Sequence, residues 1–74
     1  MDVTVKLFAD LREGKPKETK AELADQTTIK EVIESLDILP EDVAISMVNG
    51  RDANQDQALQ AGDTLSLFPP VGGA

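Results

Sequence analysis

Ile29, Val32, Ile33 and Leu36 recur at the i, i+3, i+4, i+7 spacing of one helical face, with Lys30, Glu31, Glu34 and Ser35 on the other. No other stripe constrains the chain as tightly. Thr28-Ile29-Lys30-Glu31 reads as a capping box, in which hydroxyl and carboxylate satisfy reciprocal backbone donors. The helix must end before Pro40, whose ring and missing N–H cannot continue it. Two to three turns do not persist alone in water, so this apolar face has to lie on a sheet.

Strands for such a sheet are present on both sides. Val3, Val5 and Leu7 alternate with Thr4, Lys6 and Phe8, the period of a half-buried strand. With a strand expected from residue 2, no targeting segment is expected ahead of it. Residues 9–17 carry charges, Gly14 and Pro16 and read as a turn or loop. Thr19 to Leu23 alternates again, and Ala21 and Leu23 returning antiparallel to Val3, Val5 and Leu7 would complete one apolar face. Val43 to Val48 follows as a strand with Val43, Ile45 and Met47 in phase. Asn49-Gly50 then gives a hairpin signal, since both residues tolerate positive φ. Arg51 to Gln60 reads as an irregular crossing with room for one short strand, Gly62-Asp63 as a turn, and Thr64 to Phe68 as a last strand with Leu65 and Leu67 alternating. There are no internal repeats. The order β-β-α-β-β-β predicts an α+β fold, a mixed sheet with one main helix packed across it: the ubiquitin-like β-grasp.

What the chain lacks narrows its chemistry. Its 74 residues make one domain near the lower limit for a self-sufficient core, and the 41% apolar content argues against disorder. No apolar stretch is long enough to cross a bilayer. Without cysteine there is neither a disulfide framework nor a thiolate metal site, and a cytoplasmic location is the expectation. Without histidine or cysteine the chain also lacks the commonest general base and the strongest side-chain nucleophile. Its carboxylates sit among Lys and Arg on solvated faces, so it is not expected to be an enzyme by itself. The net charge of −7 opposes binding to nucleic acid and to anionic membranes. Steering toward a basic partner would use that charge, but solubility is the simpler reading.

The segment after the last strand, Pro69-Pro70-Val71-Gly72-Gly73-Ala74, contributes nothing to a core. Two prolines favour an extended exit, and two glycines let the backbone pass where a Cβ would not fit. Extended, these residues reach about 20 Å at most. Residues 1–68 are therefore expected to form the domain, and residues 69–74 an extended, flexible arm that presents its own end.

Three segments resemble the MoaD/ThiS group of small sulfur-carrier proteins, and together they span the chain. Val3 to Arg12 is similar to that group's first strand, and Met47-Val48-Asn49-Gly50-Arg51 to its "VNG" hairpin. The most specific match is Ala61 to Gly73, which resembles the "GD…PPV.GG" ending of the MoaD, or molybdopterin, side. The resemblance implies a carrier whose terminal glycine carboxylate is adenylated by a ubiquitin-activator-like enzyme using ATP. Sulfur then replaces the adenylate, leaving a thiocarboxylate. No cofactor would be bound by the carrier itself. Adenylation supplies the leaving group, so no side chain of the carrier need act.

On this resemblance Gly73 would carry the adenylate and then the thiocarboxylate. Gly72 would keep the arm slim inside a partner's channel, and Val71, Pro70 and Pro69 would direct it. Phe68 and Phe8 are candidate partner contacts on the strand faces opposite Leu67 and Leu7; a second layer of core is the equal alternative. The implied acceptor is the catalytic subunit of molybdopterin synthase or another sulfur-accepting enzyme. Thiamine or another thio-compound remains open as the product, as does a role as a ubiquitin-like modifier or interaction module. Ala74 departs from the family's Gly-Gly ending. A peptidase that removes it is the favoured reading, beside direct activation at Ala74 and loss of the carrier role.

Overall fold

In the computed structural model, which describes residues 1–12 and 14–70, a helix lies across one face of a five-stranded sheet. The strands are β1 (Asp2–Leu7), β2 (Glu18–Glu22), β3 (Ile45–Val48), β4 (Arg51–Asp52) and β5 (Thr64–Phe68), and the helix is α1 (Ile29–Ser35). Their spatial order is β2-β1-β5-β3-β4. β1 and β5 run parallel, and every other pair is antiparallel. This is the predicted mixed sheet of the β-grasp. Val3 opposes Ala21 as expected from alternation, and Val5 opposes Thr19.

Alternation decides which side chains meet the helix. Val3, Val5, Leu7, Leu65 and Leu67 leave almost no surface exposed, and Ile29, Val32 and Ile33 close the core from the helix. The capping box forms as predicted: Glu31 N–H donates to the Thr28 hydroxyl (3.2 Å), and Thr28 N–H donates to Glu31 Oε1 (2.9 Å). The crossing after β4 does the rest of the capping, because Ile29 N–H donates to the Gln57 carbonyl (3.1 Å) and Lys30 N–H to that of Gln55 (2.9 Å). The helix stops well before Pro40. Asp37 takes a left-handed φ of 61°, and Ile38 N–H returns to the Ile33 carbonyl (3.2 Å), a Schellman closure without glycine.

Two expectations need correction. The segment read as a plain turn or loop after β1 winds into a 3-10 turn at Ala9–Arg12, which carries Leu11 into the core. The phase expected for the third strand is reversed. Val43 is buried, but it closes a 3-10 turn (Pro40–Asp42) ahead of the strand. Ala44 N–H donates to the Phe68 carbonyl (2.9 Å), while Ile45 also faces Phe68 in register. Two residues thus oppose one, a β-bulge, and the alternation slips by one position. Ser46 and Val48 turn inward, and Ile45, expected inside, is 43% exposed. A serine is tolerated there because its hydroxyl donates to the Ala53 carbonyl (2.7 Å).

Candidate functional site

β5 lies between β1 and β3, so the chain leaves the domain from the middle of the sheet. At that exit Phe8 N–H donates to the Leu67 carbonyl (3.2 Å), which extends the parallel pairing one residue beyond β1. Ala9 then turns left-handed (φ 52°) into the 3-10 turn. Phe8 and Phe68 stack with ring centroids 4.4 Å apart and planes 14° from parallel. Both rings are half-buried, and neither joins the core cluster. Ile45 stands opposite Phe68 in register, so the bulge adds a third apolar side chain to the same face. Pro69 is half-buried and Pro70 exposed as the chain departs.

The structure thus brings Phe8 and Phe68 together at the root of the arm. Val71, Gly72, Gly73 and Ala74, to which the resemblance assigns the chemistry, lie outside the described residues. Ile45 was missed because its alternation with Val43 and Met47 points inward in a regular strand, and a one-residue bulge leaves no mark on that pattern.

The opposite end of β5 is polar. Asn49 (φ 54°) and Gly50 (φ 84°) form the tight turn between β3 and β4. The Asn49 amide nitrogen donates to Asp63 Oδ1 (3.0 Å), and its oxygen accepts from Thr64 N–H (2.9 Å). This residue is more than a turn former, since it joins the β3–β4 turn to the start of β5.

An open groove of about 370 Å³ runs beside Ile45 and Ser46, with Asp52 its only carboxylate. No group of three or more metal-ligating side chains converges among the described residues. No helix among them is long and apolar enough to cross a membrane.

Residues 5–73 match the ThiS family. No curated protein matches the sequence. Among solved structures, the chain is similar to SAMP1 from Haloferax volcanii, with 27% identity over 100% of both chains and a TM-score of 0.78. A Pyrococcus furiosus protein described as subunit 1 of molybdopterin converting factor is 30% identical over 96% of this chain and 99% of its own, with a TM-score of 0.75. A Helicobacter pylori chain from a complex of subunits 1 and 2 of molybdopterin-converting factor is 26% identical over 100% of both chains, with a TM-score of 0.66.

Proposed function

The chain belongs to the ThiS family of small ubiquitin-like sulfur carriers, and from that premise we propose that it carries sulfur on its own C-terminus for molybdopterin synthesis. In this reading the terminal carboxylate attacks the α-phosphate of ATP in an activating enzyme and releases pyrophosphate. A sulfur nucleophile then displaces AMP to leave a thiocarboxylate. Gly73, exposed by a peptidase that removes Ala74, would be the acyl carrier. Gly72 and Val71 would occupy the partner's channel, with Pro70 and Pro69 directing the arm from its root.

The observation that carries this reading is the apolar stack of Phe8 and Phe68 beside Ile45, set where the arm leaves β5. A partner that covers this face is positioned to receive the arm, and burying the three side chains would supply part of the affinity. The H. pylori chain to which this one is similar is described in complex with subunit 2 of its converting factor. That supports an equivalent catalytic subunit as the sulfur acceptor here.

Intact mass of the protein from its own cells tests the reading, beside a sample treated with a thiocarboxylate-selective azide. Loss of one alanyl residue with oxygen replaced by sulfur is the expected result. Replacing Gly73 by a bulky residue should abolish ATP–pyrophosphate exchange with the activating enzyme while the fold persists; normal exchange would overturn the assignment. A second reading, a protein modifier, is favoured by the similarity to SAMP1, which is described as a small archaeal modifier protein. It predicts an isopeptide to a target lysine in place of a thiocarboxylate.

A further inference from the structure

Asn49-Gly50 is a bond pair prone to loss of the asparagine side-chain amide, because Gly50 has no side chain to hinder its backbone nitrogen from approaching Asn49 Cγ. Both residues are exposed, so water reaches them freely. What opposes the reaction is a set of hydrogen bonds. Asn49 Nδ2 donates to Asp63 Oδ1 (3.0 Å), and Asn49 Oδ1 accepts from Thr64 N–H (2.9 Å), so both ends of the amide are held by another segment. Asn49 N–H donates to the Thr64 carbonyl (2.9 Å), and Asp63 Oδ2 is fixed by Gln60 N–H (2.8 Å). Turning Cγ toward the Gly50 nitrogen breaks both side-chain bonds at once.

We propose that Asn49 is a deamidation site gated by this clasp, closed while the start of β5 is paired and open when it frays. In the open state the Gly50 nitrogen attacks Asn49 Cγ, forming the new C–N bond of a succinimide. The Cγ–Nδ2 bond breaks, and ammonia leaves with the proton that Gly50 gives up. Water then opens the ring at either carbonyl to aspartate or isoaspartate, with no change of oxidation state. The product cannot restore the clasp. A carboxylate now stands where Nδ2 donated to Asp63, so like charges replace a hydrogen bond. Isoaspartate also lengthens the backbone of a turn that has no slack. The modification is therefore one-way, and it marks chains whose β5 has opened.

The test follows isoaspartate and amide-to-acid mass gain in the full chain at neutral pH. Native protein is expected to convert about tenfold or more slowly than the same chain in guanidinium chloride, because conversion must wait for opening. Asp63→Ala should convert about fivefold faster than wild type while folded, and Asp63→Asn, which keeps one oxygen for Asn49 Nδ2 but loses the acceptor for Gln60 N–H, should fall between the two. Asn49→Asp should lower the unfolding midpoint. Equal rates in native and denatured wild type would overturn the gate, as would a folded Asp63→Ala no faster than wild type. Should Asp63→Ala not fold, the native-to-denatured ratio decides alone.

Discussion

The two ends of β5 are held by different physics. At its start, Thr64 and the preceding Asp63 are tied to Asn49 by directional hydrogen bonds that accept one geometry only. At its end, Phe68 rests on Phe8 across from Ile45 through apolar contact, which a foreign surface can share. Between them Leu65 and Leu67 are fully buried. A strand fixed at one end and offered at the other can dock with a partner without unravelling. Burial of the half-exposed stack then adds to binding, whereas opening the clasp only loses bonds.

Breaking what both ends share should have the largest effect on stability. Ile33 leaves no surface exposed under the sheet, and Ile33→Ala should cost about 2–5 kcal/mol in chemical denaturation. A loss below about half a kcal/mol would mean the helix does not pack as described. Next is the clasp. Asn49→Ala removes two side-chain bonds and should cost about 1–2 kcal/mol while leaving partner affinity unchanged. The stack should behave in the opposite way. Phe8→Ala should cost about 1 kcal/mol of stability from the lost ring pair, yet weaken binding to the activating enzyme or sulfur acceptor by about tenfold or more. If Asn49→Ala weakened binding as much as Phe8→Ala, the two ends would not be functionally distinct.

Much of this division is legible in the residues themselves, and the reasons are local. The Thr28–Glu31 box, the Ile29-Val32-Ile33 stripe and the alternation in β1 and β5 each satisfy a rule that needs no distant partner. The clasp was half legible: Asn49-Gly50 specifies a turn, but its bonds to Asp63 and Thr64 depend on strand order. Ile45 was misplaced because a bulge at Ala44 is set by pairing with Phe68, which alternation does not encode. Gln26 and Asp37 adopt positive φ without being glycine, as does Ala9 inside the segment read as a turn or loop, so residue type did not mark where the chain turns left-handed. The roles proposed for Gly72 and Gly73 rest on family resemblance alone, since such chemistry would belong to the main-chain terminus and to the enzymes that use it.

The smallest expected effect lies away from both ends of β5 and serves as their control. Glu31 accepts hydrogen bonds from the Thr28 backbone N–H (2.9 Å) and hydroxyl (3.1 Å), which hold its carboxyl below the usual glutamate range. Because the folded value is the lower one, the stabilisation is complete above the unfolded value near about pH 4 and is lost as pH falls through the folded value. The carboxylate is fully exposed, so screening by water and salt keeps the contribution small. Glu31→Gln keeps an acceptor for the cap but removes the titration, and should flatten this part of the stability-versus-pH curve. Phe8→Ala removes no hydrogen bond to a carboxylate, so it should lower the whole curve and leave its acid slope intact. An acid slope unchanged by Glu31→Gln would assign the pH dependence to other carboxylates, and a slope altered by Asn49→Ala would tie it to the clasp.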